Sequence, residues 1–216
     1  MTLRQPSARQ LAALKIVLFL LCLLPLARLL LNAWQDELGA NPIEFITRAL
    51  GTWTLRFLLI TLLVTPLRHL TGLHWLLRLR RMLGLYAFFY GFLHLLTYFW
   101  LDQFFDWPAI AKDILKRPFI TVGFAAMVLM LPLAATSTNA MIKRLGGRRW
   151  TRLHKSIYAI AILGVVHYWW LVKKDITLPL LYAVLLGILL GYRALRLARE
   201  KQRQLAAAPS AACRSE

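Results

Sequence analysis

The chain has 216 residues, 59% of them hydrophobic and 17% charged, with 27 Lys and Arg against 9 Asp and Glu and a formal net charge of +18. A soluble domain is nearer half apolar and a quarter charged, so this balance belongs in lipid; it excludes disorder, collagen and a disulfide-rich secreted scaffold. Of the 2 cysteines, Cys22 lies in an apolar run and Cys213 in the polar tail, leaving no disulfide framework, zinc-type pair or covalent haem site.

A helix needs about 20 apolar residues to cross a bilayer. Six stretches qualify: 16–33, 45–66, 82–101, 118–136, 153–171 and 176–195. The first follows Arg4, Arg9 and Lys15 as a signal peptide would. It continues for a full span with no small-residue cleavage site, which predicts an uncleaved first helix. Pro118 opens the fourth stretch, where its missing N–H costs nothing. The connectors are short, so the expected fold is an all-α integral membrane protein: one six-transmembrane-helix bundle over 1–204, with 205–216 as a disordered tail. The loop 102–117 holds a short amphipathic segment with Trp107, Ile110, Ile114 and Leu115 on one face, suited to lying on the membrane surface. On size, that loop is also the first candidate for docking a partner. No internal repeat is visible.

Charge sets the orientation. Arg68, Arg78, Arg80, Arg81, Lys143, Arg144, Arg148, Arg149 and Arg152 flank one set of span ends, together with the basic residues of both termini. The other set has only Lys112, Lys116, Arg117, Lys173 and Lys174, and it collects Asp36, Glu37, Glu44, Asp102, Asp106, Asp113 and Asp175. The positive-inside rule places the first set, and both termini, in the cytoplasm. The +18 is thus a topology signal and not a nucleic-acid footprint.

Five histidines follow. His69 and His74 lie in a basic loop, where solvation accounts for them, whereas His94, His154 and His167 lie inside predicted spans. Ionisable groups at such depth are rare and mark function by default. His94 is about 20 Å above Arg81, and His167 about 22 Å above Arg152, at 1.5 Å per residue. Their matching depth on two helices suits haem iron with an imidazole on each face. On the third helix Arg80, Gly84, Ala87, Gly91 and His94 fall within about 80° of each other, leaving room for a wide ligand or for close helix packing. His154 and His167 sit about 140° apart on an ideal helix. Either the winding departs from ideal, near Gly164 for example, or the two face different partners. Arg56 is mid-span, with Arg28 and Arg48 nearer the outer surface. No acid lies inside a span, so a haem propionate is a suitable counter-charge, as is a quinone oxygen or lipid phosphate for the outer two, with snorkelling as the plain alternative.

At these residues the chain resembles a known family. The stretch from Arg80 through Gly84 and Gly91 to His94, with Tyr98 beyond, is similar to the third helix of the MsrQ (YedZ) family of bacterial haem-binding membrane subunits. Arg144-Leu-Gly-Gly-Arg-Arg-Trp-Thr-Arg-Leu-His154, then Tyr158 and His167-Tyr-Trp-Trp170, resembles that family's fourth loop and fifth helix. The family belongs to the ferric-reductase-like transmembrane group, in which two histidines on each of the third and fifth helices bind two stacked haems. Here the inner position of the third helix falls on Arg80. The resemblance therefore implies haem b, one or two per chain, with His94 and His167 ligating the outer one. It implies that His154 serves a second haem or the inner-side uptake of electrons, and that Arg80 pairs there with a propionate or donor group. FMN is implied by the resemblance alone, and the group's cytoplasmic flavin and NADPH domains are expected to be absent. The implied role is a non-catalytic electron-transfer subunit in the bacterial inner membrane. Its donor would be the quinone pool or a cytoplasmic flavin reductase, and its acceptor a periplasmic molybdopterin methionine sulfoxide reductase that repairs oxidised proteins.

Other classes stay open on the residues alone: a small membrane transporter or quinone-binding assembly factor with proton-relay histidines, and a zinc-dependent membrane hydrolase. The first wants acids in the spans and the second an H-E-x-x-H pair, and neither is present.

Overall fold

The computed structural model describes residues 5–207, and every regular element among them is helical. Helix α1 (Ala8–Trp34) opens on a capping box: the Ser7 hydroxyl accepts from the Gln10 amide at 3.2 Å, and the Gln10 side chain accepts from the Ser7 amide at 2.9 Å. Helix α2 (Pro42–Thr71) is capped by Asn41, starts on a proline and stops at Gly72, whose φ of 73° is the left-handed conformation that glycine adopts freely. Helix α3 (Leu77–Thr97) leads into a wide turn, Tyr98–Asp102. The short α4 (Trp107–Lys116) and α5 (Pro118–Ala135) follow. Then come α6 (Asn139–Leu145), α7 (Gly147–His154), α8 (Ile157–Leu171) and α9 (Thr177–Ala207).

Five elements are long and apolar enough to cross a membrane: α1, α2, α3 with its flanking turns, α5 and α9. The predicted run 153–171 is not one helix. The Trp150 indole donates to the Thr136 carbonyl at 3.0 Å and the Ser156 hydroxyl donates to the Leu153 carbonyl at 2.8 Å, so the chain turns at Lys155 and Ser156 and leaves α8 only 15 residues. The 140° discrepancy between His154 and His167 thus resolves at this turn and not at Gly164. Helix α9 carries on to Ala207 through residues with good helix propensity and an Arg196–Glu200 pair, so 205–207 are helical. The rest of the predicted tail, like Arg4, Cys213, Arg214 and Glu216, lies outside the described residues.

Packing is dominated by two helix pairs, α2 with α3 and α5 with α8. Helix α1 sits at the margin with most of its apolar surface exposed, as a lipid-facing helix does. It is held by two tyrosines one turn apart on α3. Tyr86 donates to the Phe19 carbonyl at 2.9 Å; Tyr90, fully buried, donates to the Cys22 carbonyl at 2.8 Å and accepts from the Leu26 amide at 3.2 Å. That hydroxyl stands in the α1 ladder beside Pro25, where the helix is already interrupted. The face predicted for α4 is split: Ile110 is buried, while Trp107 and Leu115 are exposed. Ile110 and Leu115 are five residues apart, about 140° around a helix, so packing of α4 on α5 does not cover both.

A second interruption shows how basic residues enter the bundle. Pro66 inside α2 has no N–H for the Leu62 carbonyl. Arg193 of α9 turns inward and supplies it: its guanidinium donates to the Leu62 carbonyl and, at 2.8 Å, to the Leu189 carbonyl, while covering the Tyr158 ring at 5.5 Å. An unpaired buried carbonyl costs about 1–3 kcal/mol. Arg193→Leu is therefore expected to destabilise by about that much, and by clearly less in a Pro66→Ala background, where the new amide replaces the guanidinium. Equal losses in both backgrounds, measured by unfolding in detergent, would refute this account.

Candidate functional site

A cavity between α2, α3, α5 and α8 has a volume of about 580 Å³, within the roughly 300–1,000 Å³ of cofactor sites. His94 of α3 and His167 of α8 face each other across it, with ring centroids 6.2 Å apart and planes at 73°. Between two rings at this separation one metal ion could be held by both imidazoles at about 2.0–2.1 Å from each.

Each ring is oriented in the same way. His94 Nδ1–H donates to the Thr47 carbonyl at 2.8 Å, and His167 Nδ1–H donates to the Phe119 carbonyl at 2.6 Å. A carbonyl only accepts, so both imidazoles carry their proton on Nδ1 and leave Nε2 as the electron-pair donor. Such outer-shell bonds fix the tautomer and orientation of metal-binding histidines. Close approach of ring to helix backbone depends on two glycines. A Cβ at Gly51 would stand 3.1 Å from the His94 ring, and one at Gly123 would stand 2.6 Å from the His167 ring.

Among the described residues, no group of three or more His, Cys, Asp or Glu could hold a metal ion. Two imidazoles alone hold a transition metal poorly, but they complete the coordination of iron whose other four positions are filled by a macrocycle. The residues present therefore fit haem. Gly91 adds to the fit: it borders the cavity, and a Cβ there would press on Thr54 and Met127 at 3.3 and 3.4 Å. The small-residue stripe of α3 does both things the sequence left open. Ala87 is packed without exposure, while Gly84 and Gly91 each open onto a cavity.

The second cavity, about 400 Å³, lies toward the end of the bundle that carries the basic loops. His154 and Arg80 both line it, with Arg81 and Lys155 and no carboxylate. Its histidine is differently held. Trp150 stacks on the ring at 4.0 Å and 26°, and His154 Nε2 lies 3.2 Å from the Thr136 hydroxyl. That hydroxyl gives its proton to the Pro132 carbonyl at 2.6 Å, so the imidazole donates from Nε2 and keeps Nδ1 as its acceptor. Leu58 and Met130 line both cavities and separate them.

Other predicted residues fall elsewhere. Arg56 reaches neither cavity: its Nε donates to the Tyr182 hydroxyl at 2.9 Å and its guanidinium covers the Trp53 ring at 4.7 Å, so a phenol and an indole face take the place of the expected counter-charge. Arg48 does border the first cavity and is paired with Glu44 at 2.5 Å. Sequence reasoning missed Gly51, Gly123 and the carbonyls of Thr47 and Phe119. The signal available was the glycines themselves, since each sits inside a span where it weakens the helix and has no turn to make.

Residues 50–165 match the ferric reductase like transmembrane component family. The chain is 64% identical over 88% of its length to the protein-methionine-sulfoxide reductase heme-binding subunit MsrQ of Azospira oryzae, of which the match covers 82%. It is 52% identical to the protein of that name from Herminiimonas arsenicoxydans, over 97% of both chains, and 56% identical to the one from Ralstonia nicotianae, over 86% of both. No solved structure matches the chain. With that identity over nearly its whole length, and with paired histidines in the segments that resemble the family, the chain belongs to the MsrQ family of the ferric-reductase-like transmembrane proteins.

Proposed function

We propose that this chain is the b-type haem subunit that carries electrons across the bacterial inner membrane to a periplasmic molybdopterin methionine sulfoxide reductase. The donor is the quinone pool or a cytoplasmic flavin reductase. The observation that carries the reading is the 6.2 Å pairing of His94 and His167, each with Nδ1–H anchored on a backbone carbonyl. The names of the relatives, heme-binding subunits of a methionine sulfoxide reductase, support the cofactor and the partner. The charge asymmetry supports six crossings with both termini cytoplasmic, α8 making the fifth despite its length because it is packed between α2, α5 and α9.

Haem bound between the two histidines supplies one-electron chemistry. The chain's own residues hold and tune it. The carbonyls of Thr47 and Phe119 make the imidazoles better donors, Gly51 and Gly123 let the rings reach them, and the buried Leu58 and Met130 close one end of the cavity. The second cavity is the electron-uptake side. Its cations, Arg80, Arg81 and Lys155, suit an anionic redox group, either a second haem with its propionates or the phosphate of FMN, beside His154. The subunit moves electrons and leaves the sulfoxide chemistry to its partner.

His94→Ala and His167→Ala are each expected to abolish most bound haem, read by pyridine haemochrome per chain in purified protein; full retention in either would overturn the ligand assignment. Gly123→Ala should broaden or lose the low-spin spectrum, and should do so more than Gly51→Ala because its Cβ would meet the ring at 2.6 rather than 3.1 Å. A milder effect at Gly123 would contradict the cradle. For His154→Ala the expected result is slower reduction of the remaining haem in stopped-flow absorbance, with the outer site retained; unchanged kinetics would remove His154 from the path.

A further inference from the structure

The histidine-bearing cavity is assembled twice from one pattern. Counted from Gly51 on α2 and from Gly123 on α5, the wall residues fall at the same offsets. The carbonyl that anchors the histidine is four residues before each glycine, on Thr47 and Phe119. The residue that separates the two cavities is seven after, Leu58 and Met130. The ligand helices repeat as well, with Gly91 three residues before His94 and Gly164 three before His167. A ring held between such halves meets closely similar shape on both sides, so shape alone says little about how its edges are turned.

Chemistry breaks the likeness at the end of the cavity away from the basic loops. Three residues before the glycine stands Arg48 on α2, and Ile120 on α5. Four before stands Thr47, whose hydroxyl is buried and has no hydrogen-bond partner among the described residues, against Phe119. The opposite end is closed by Leu58 and Met130, both buried and apolar. Arg48 is held by Glu44 at 2.5 Å, but a guanidinium has five N–H donors and can bridge to a second carboxylate. The other arginine there, Arg117, is bound at 2.8 Å to Asp113, which also accepts from the Tyr98 hydroxyl at 3.1 Å. A buried unpaired hydroxyl beside an arginine calls for an acceptor with negative charge.

We propose that Arg48 and the Thr47 hydroxyl form the carboxylate-binding subsite of this cavity, fixing which edge of the haem faces its open end. The proposal rests on the haem reading above. Its test uses the full chain in detergent, freed of haem and titrated with haem b and with haem b dimethyl ester, whose carboxylates are blocked. Hydrogen bonds to a charged group of this kind are worth roughly 10–100-fold in affinity. The wild type is expected to prefer haem b over the ester by about that factor. Arg48→Leu should reduce the preference to about threefold or less, and Thr47→Val, which keeps the carbonyl that anchors His94, should reduce it in part. Equal affinity of the wild type for the two porphyrins overturns the subsite. So does a preference that survives Arg48→Leu, which would place that guanidinium among lipid headgroups. Should Arg48→Leu not fold, the wild-type ratio and Thr47→Val decide. If neither porphyrin gives a six-coordinate low-spin spectrum in the wild type, the haem reading itself falls, and that outcome is distinct from loss of discrimination.

Discussion

A neutral imidazole buried in a bundle has one N–H to satisfy and no water to satisfy it. In this protein the acceptor is a helix carbonyl, already committed to its own ladder, and the ring can reach it only by pressing against the helix. That approach requires the absence of a Cβ, which is why Gly51 lies beside His94 and Gly123 beside His167. Much else depends on this arrangement. It ties α2 to α3 and α5 to α8, the two most closely packed pairs, and it sets both imidazoles to the tautomer that leaves Nε2 as the electron-pair donor.

The same accounting for polar groups explains residues that looked like plain topology signals or bystanders. Arg193 belongs by sequence to the basic end of α9, yet it turns inward to the carbonyl that Pro66 leaves unpaired. Tyr90 inserts its hydroxyl into α1 next to Pro25 and so fastens a helix that otherwise faces lipid. The Thr136 hydroxyl sits between the Pro132 carbonyl and His154. Each of these contacts lies next to a proline inside a helix, and at Pro66 the side chain of another helix takes up the carbonyl that the proline leaves unpaired. Specific helix contacts in an apolar solvent depend on such closures, because apolar burial between helices gains little there.

The two cavities ask for different occupants. One offers a pair of matched neutral imidazoles, with an apolar end at Leu58 and Met130 and charged residues at the other; the second offers a single histidine with its tautomer reversed, a stacked indole and the cations Arg80, Arg81 and Lys155. Arg80 lines the second cavity with Arg81 and Lys155, so that cavity offers one histidine among cations. Among the described residues Leu58 and Met130 alone belong to both linings, so the two cavities are separated by one layer of side chains.

By itself the sequence determined the class of the protein. Long apolar runs specify membrane helices because backbone polar groups in lipid must bond within the segment, and the asymmetry of Arg and Lys bears on orientation because it acts through the loops alone. It also singled out His94, His154, His167 and Arg80, since ionisable residues at such depth are costly and few. Tertiary structure decided what these residues do together. The pairing of His94 with His167 could be read as equal depth, but the carbonyl anchors, the glycine cradles and the repeated half-site could not, because each joins residues more than forty positions apart on different helices. The break at Lys155 and Ser156 was equally hidden: it arises from a bond between Trp150 and the end of α5, against a local pattern that reads as one continuous span. Arg56 marks the same limit, for its depth is written in the chain while Tyr182, the partner that makes that depth tolerable, is supplied only by the way α9 folds back on α2.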